Sequence, residues 1–388
     1  MSQFLRSLPQ GFLPFFIGRM ITLVASGLIG VFAPIFLYQY FGGSITYVGL
    51  WFMVGWVAYI ILSPIMMKLV EFIGLRYALI ASTFFGAAYY FVLANAEQND
   101  VFATAIMSAV LIIFWRFFYW LPYHLEFVTL TEKGHRGQQS SFFWASASVI
   151  GMITPLIGGV IIYLWSFSAV FYVAMVLFLL QAIPYLLIPK ANEQYTWGYW
   201  ETWRNFFSRR YRQVVVSHFA LGAENTVGLL IWPIFIFLLL EGNIFEVGVI
   251  SSIIVMVSVF GEILLGKYID AHAEERVLSF AGIMNALGWI AKMFVTTAFH
   301  IFVAGAYHSV VHIFVRTPLT ARVSDFIADQ GHYIDEVTVI REIAIGLGKC
   351  FAFGLVIFVL MFASIQWTFI LAAGASLFFN AIYNKRTL

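Results

Sequence analysis

Cysteine is nearly missing from this chain: Cys350 is the only one in 388 residues. A lone thiol excludes an internal disulfide, and its place in an apolar run marks it as a packing residue. Charge is scarce as well. Asp, Glu, Lys and Arg make up 10% of the residues and apolar types 62%, where a soluble domain is about a quarter charged. That excludes an ordinary soluble protein. The motifs of soluble chemistry are lacking too. There is no Gly-Lys-Ser/Thr phosphate loop, so no intrinsic ATP engine is expected. His308 and His312 have the spacing of a helical metal pair, but the run H-S-V-V-H lacks the glutamate of the His-Glu-x-x-His hydrolases. No enzyme activity, metal or cofactor is expected. The basic residues gather at the edges of apolar runs, which argues against nucleic acid as a partner.

Apolar runs fill the chain instead, each 20 residues or more, long enough to cross about 30 Å of hydrocarbon at 1.5 Å per residue. They are uniformly apolar, without the alternation of a membrane barrel, so an all-α membrane protein is expected. Twelve spans are predicted, at 12–40, 45–71, 74–95, 100–130, 140–164, 167–189, 213–240, 245–270, 275–297, 299–324, 337–363 and 365–384. The first lacks a small-residue cleavage pattern and is expected to remain as a span. The connections 41–44, 96–99, 165–166, 241–244, 298 and 364 hold no Lys or Arg, whereas Lys68, Arg76, Lys133, Arg136, Lys190, Arg204, Lys267, Arg276 and Arg322 lie in or beside the alternate ones. The positive-inside rule then places both termini in the cytoplasm and the chain in the cytoplasmic (inner) membrane of the cell. The longest connection falls between the sixth and seventh spans. Trp200, Trp203 and Phe207 recur there at helical spacing, with Arg204, Arg209, Arg210 and Arg212. It reads as an amphipathic helix lying in the cytoplasmic headgroup layer.

The chain repeats itself. Positions 34–49, P-I-F-L-Y-Q-Y-F-G-G-S-I-T-Y-V-G, return at 233–248 as P-I-F-I-F-L-L-L-E-G-N-I-F-E-V-G, a shift of 199 residues with seven of sixteen positions identical. A repeat of nearly half the chain implies duplicated halves. The expected domains are an N-terminal six-helix bundle at 1–189, a cytoplasmic linker at 190–212 and a C-terminal six-helix bundle at 213–388.

Six plus six helices, a parallel repeat and a basic central connection resemble the major facilitator superfamily over essentially the whole chain. That family carries a motif of the form G-x-L-x-D-R-x-G-R-R after its second helix. Here 67–76 reads M-K-L-V-E-F-I-G-L-R, which keeps Leu69, an acid at Glu71, Gly74 and Arg76; the repeat keeps Gly266, Asp270 and Arg276. An acid at a cytoplasmic helix end can latch onto basic residues or a helix N-terminus, so both copies are expected to form a cytoplasmic gate. The fifth span holds T-P-L-I-G-G at 154–159, similar to the G-P-x-x-G-G of many exporters and antiporters. Gly151, Gly158 and Gly159 allow close helix packing there, and Pro155 permits a hinge.

Ionisable residues within spans are expensive and therefore candidates for function. The resemblance implies that the first, fourth, seventh and tenth helices line a central cavity. The first carries Arg19, with Thr22 and Ser26 on the same face. The fourth carries Arg116, Trp120 and Tyr123, with His124 and Glu126 nearer the cytoplasm. The seventh supplies Glu224 and Asn225, and the tenth His308, His312 and Arg316. Glu224 is the leading candidate proton carrier, with His308 and His312 as alternatives. Arg19, Arg116 and Arg316 are expected to hold an anionic or polar substrate group or to neutralise the buried acids, and Trp120, Tyr123 and Trp232 to offer stacking surface. Lys292 is expected to snorkel to the external boundary. Lys349 needs a partner, for which Glu342, two turns away, is too distant.

The resulting expectation is a monomeric transporter of a small molecule, working by alternating access and driven by protons, with antiport or efflux as its direction. An importer or uniporter of a sugar, organic anion or peptide is one alternative. A lipid flippase or scramblase is another, favoured by the wealth of aromatic residues.

Overall fold

The computed structural model describes residues 11–129, 136–189, 195–270, 274–328 and 334–383. Among them every regular element is helical. In chain order they are α1 (Phe12–Ile29), α2 (Phe32–Tyr40), α3 (Ile45–Ile73), α4 (Leu75–Ala94), α5 (Val101–Thr129), α6 (Arg136–Leu164), α7 (Phe167–Tyr185), α8 (Tyr199–Phe206), α9 (Arg212–Thr226), α10 (Trp232–Leu239), α11 (Ile244–Asp270), α12 (Glu274–Lys292), α13 (Ala298–Ala328), α14 (Ile334–Leu360) and α15 (Phe369–Ser376), with short 3₁₀ turns between some of them.

Eleven stretches among the described residues are long and apolar enough to cross a membrane. The expected span 275–297 is the exception. It forms α12, but Glu274, Glu275 and Arg276 open that helix and Lys292 closes it, so its whole length is less apolar than its neighbours. Elsewhere the outward faces of the spans are apolar, with Phe84, Val110, Leu180 and Phe358 exposed. In hydrocarbon that exposure carries no penalty.

Two compact units emerge from the packing: Met1–Gly30 with Leu62–Thr196, and Val31–Ile61 with Trp197–Leu388. Their boundaries fall inside the first two expected spans as well as in the central connection. In the first unit α1 packs on α6 and α7, and α4 on α5 and α7. Glycines make these approaches possible: Gly18 lies against the Tyr185 ring, Gly27 against Thr154 and Gly86 against Phe178. The unit's core joins Phe15, Leu79, Tyr119, Tyr123, Phe143, Tyr185 and Ile188. In the second unit α9 packs along α14, α11 on α13, and α12 on α13 and α15. Its core joins Val214, Leu278, Val315, Leu319 and Phe379.

The sequence repeat reappears in the backbone. α2 and α10 both end on a residue near φ −89°, at Phe41 and Leu240. Each is followed by a glycine with positive φ, Gly43 at 79° and Gly242 at 85°, a conformation that L side chains resist. The Gly43 and Gly242 amides donate to the Tyr38 and Phe237 carbonyls at 2.8 and 2.9 Å. The next helix is then capped in the same way. Ser44 Oγ accepts from the Tyr47 amide at 3.3 Å, and Asn243 Oδ1 from the Glu246 amide at 3.2 Å. Both copies also interrupt the helix just upstream. The expected span 12–40 breaks at Gly30 and Val31, between α1 and α2. The span 213–240 is broken by a π-helical turn, Val227–Ile231. The shift of 199 places Gly30 and Val31 on positions 229 and 230, within that turn. The two copies are thus interrupted at the same place by different means.

The expected amphipathic linker is shorter than the sequence implied. Positions 190–194 lie outside the described residues, and the helix is limited to α8, eight residues long. Trp200 and Phe207 are exposed, as are Arg204, Arg209, Arg210 and Arg212, whereas Trp197 and Phe206 are buried.

Candidate functional site

Two buried polar clusters form, one within each unit. The first is built around Arg19 of α1. Its Nη1 donates to the Tyr119 hydroxyl of α5. Its guanidinium carbon lies 4.6 Å from the centre of the Tyr123 ring, 5.4 Å from Trp120 and 5.6 Å from Tyr119. Residues 119, 120 and 123 meet one cation because positions three and four apart share a helical face. The rings brace one another: Tyr119 and Tyr123 stack at 5.6 Å, Trp115 and Tyr119 at 5.3 Å, and Phe15 and Tyr123 at 5.5 Å. His124 stacks on Trp120 at 5.7 Å. One turn along α1, Thr22 receives a hydrogen bond from Gln181 of α7, which also donates to the Tyr185 hydroxyl at 2.6 Å. Arg116 and Glu126 are buried in the same helix as the rings. Tyr119 and Gln181 had not been singled out in the sequence.

The second cluster is built around Glu224 of α9, 2% exposed. Its Oε1 accepts from Trp289 Nε1 at 3.0 Å and from Asn285 Nδ2 at 3.5 Å. His308 Nε2 of α13 stands 3.5 Å from the same oxygen. Asn285 also donates to Ser376 Oγ at 2.8 Å, which ties α15 to the cluster. The His308 ring packs edge-on against Trp289 at 4.6 Å and lies 5.9 Å from His312. Side chains of α12 and α13 therefore meet the α9 carboxylate, with α15 joined through Asn285. Trp289, Asn285 and His308 all approach Oε1 and leave Oε2 outside these contacts, so the carboxylate is held through one oxygen. Asn225 is half-buried and makes none of these contacts; Arg316, two turns beyond His308, is exposed.

Lys292 departs from its expected role. It does not snorkel: it is 1% exposed, and its Nζ lies 3.8 Å from the Trp289 ring centre and 4.3 Å from Trp232. The two indole faces offer the ammonium a partner inside the unit, and the side chain follows them. Asn285, Trp289 and Lys292 recur at four- and three-residue steps, one stripe of α12. That periodicity was readable, but amides and indoles attract little notice in an apolar run. Lys349 has the partner it needed in the Trp56 ring, 3.9 Å from its Nζ. Glu342 is engaged by Arg341 at 3.2 Å and the Tyr59 hydroxyl at 3.5 Å.

At the expected gate, Gly74 is the single residue between α3 and α4, with φ 88° and ψ 143°. Its amide donates to the Val70 and Glu71 carbonyls, closing α3. Arg76 donates to the Ile188 carbonyl at 3.3 Å. Arg276 is exposed; Gly266 belongs to α11, and the side chain of Asp270 lies outside the described residues. In α6, Thr154, Pro155, Gly158 and Gly159 are buried and Gly151 half-buried, and Thr154 Oγ1 returns a hydrogen bond to the Ile150 carbonyl at 2.9 Å.

Long apolar helices with polar clusters buried among them define a polytopic helical membrane protein. The family model of the Major Facilitator Superfamily matches residues 15–334, and the chain belongs to that family. It is therefore a multi-pass membrane transporter of small solutes. No curated protein matches the chain.

Proposed function

We propose that the protein couples the movement of a small organic solute to protons by alternating access, as an antiporter or exporter, with Glu224 as the proton carrier. The observation that carries this reading is the convergence of Trp289, Asn285 and His308 on Glu224 Oε1. An ionised carboxylate accepts all of these contacts. A protonated one becomes a donor, weakens its hold on them, and loosens α9 from α12 and α13. Proton arrival thus changes how α9 is tied to α12 and α13. The exporter direction draws on T-P-L-I-G-G in α6. The same reading has twelve spans with cytoplasmic termini, two six-helix halves at 1–189 and 213–388, a gate at Glu71, Gly74, Arg76, Gly266, Asp270 and Arg276, and a monomer in the cytoplasmic membrane.

Proteoliposomes with an internal pH dye test it. Solute pools should evoke a proton flux in the intact protein that Glu224→Gln abolishes. Solute uptake without proton movement, and equal in Glu224→Gln, overturns the coupling and leaves a uniporter.

A further inference from the structure

Arg19 is buried at 9% exposure. Among the described residues it makes no ion pair, and its Nε has no hydrogen-bond partner. The three rings around it stabilise a cation through their faces, yet they bring no opposing charge. Nη1 is committed to Tyr119. What remains is the side-on edge, Nε with Nη2, whose two parallel donors match the two oxygens of a carboxylate. One unbalanced cation suits one negative charge. A dianionic phosphate would bring a second charge that this cluster does not meet. Half-buried Trp120, beside the cation, offers ring surface on which an apolar body rests.

We propose that Arg19 and its aromatic surround bind the carboxylate of a small organic monoanion whose apolar portion lies on Trp120. This rests on the transport reading and names the class of its substrate.

The test uses the full-length protein in detergent, titrated with butyrate, benzoate and phenylacetate, and with the matching neutral amides and phenyl phosphate. Trp120 adjoins the cation and Trp115 stacks on Tyr119, so tryptophan fluorescence and the thermal midpoint both report occupancy. At least one acid should bind saturably, with its amide and the phosphate weaker by tenfold or more. Arg19→Gln should weaken that acid by about ten- to hundredfold. Arg19→Lys, which keeps the charge but loses the fork, should fall between. Equal binding of acid and amide, undiminished acid binding in Arg19→Gln, or no response to any acid overturns the proposal. If Arg19→Gln does not fold, the acid–amide comparison and Arg19→Lys decide. Acid binding without flux in vesicles would defeat the transport reading and leave this site intact. Proton-coupled flux of a neutral or cationic solute, without acid binding, would defeat this site alone.

Discussion

Helices α9 and α14 touch backbone to backbone, and a single methyl group should separate them. A Cβ built on Gly348 would lie 1.9 Å from the Phe219 carbonyl oxygen and 3.0 Å from the Ala223 nitrogen; one built on Gly222 would lie 2.1 Å from the Ile345 oxygen. Ordinary contact begins at 3.4 Å, so Gly348→Ala is short of space by 1.5 Å. Main-chain atoms cannot rotate aside as a side chain can, and the helices must move apart. Overpacking costs about 1–3 kcal/mol, and a shortfall against backbone belongs at the upper end. Replacing glycine by alanine within a helix returns about 1 kcal/mol of propensity. The net expectation is a loss of about 2 kcal/mol, roughly a thirtyfold fall in the folded-to-unfolded ratio. Gly354, further along α14, is the control: its added Cβ would meet nothing within 4 Å, so Gly354→Ala should be neutral or stabilising. Thermal unfolding in detergent, followed by tryptophan fluorescence, compares the two. If Gly348→Ala unfolds at or above the midpoint of Gly354→Ala, the close approach of α9 and α14 is wrong.

Two further outcomes follow from the geometry. Gly74→Ala forces an L residue to φ 88° at a cost of about 1–3 kcal/mol, and should lower the thermal midpoint; an unchanged midpoint refutes the turn between α3 and α4. Trp289→Phe keeps the ring but removes the Nε1 donor 3.0 Å from Glu224, which should cost about 1.5–3 kcal/mol. The loss should shrink when Glu224→Gln is already present, and equal losses in both backgrounds would show that the indole acts by packing alone.

The placement of helices was legible because hydrocarbon imposes a crude rule: long apolar runs become spans. Interruptions inside those runs were not. Gly30 and Val31 sit between equally apolar neighbours, and nothing in the residue types 227–231 signals a π turn, since its cause lies in packing rather than propensity. Glu224 and His308 drew notice as isolated ionisable residues on the seventh and tenth spans, but their pairing was not legible from the sequence. Helical spacing put Trp120 and Tyr123 on one face of the fourth span, but it could not show that Arg19 of the first span meets that face. Trp289 and Asn285 were missed because they carry no charge, and Lys292 was misjudged because its depth depends on two indoles from different helices. A charge announces itself in an apolar sequence, whereas the groups that receive it do not.

The π turn sets the phase of the helix that carries Glu224. Glu224 and Trp232 are eight positions apart, and in an unbroken α-helix that many steps rotate through about 800°, leaving the two side chains about 80° out of line. A π turn absorbs about one extra residue, so the eight steps rotate roughly as seven do and the offset shrinks to about 20°. The acid and the indole are thereby turned to the same side, where Glu224 meets Trp289 and Trp232 meets Lys292. One surplus residue in the winding lets a single stripe of α12 serve both.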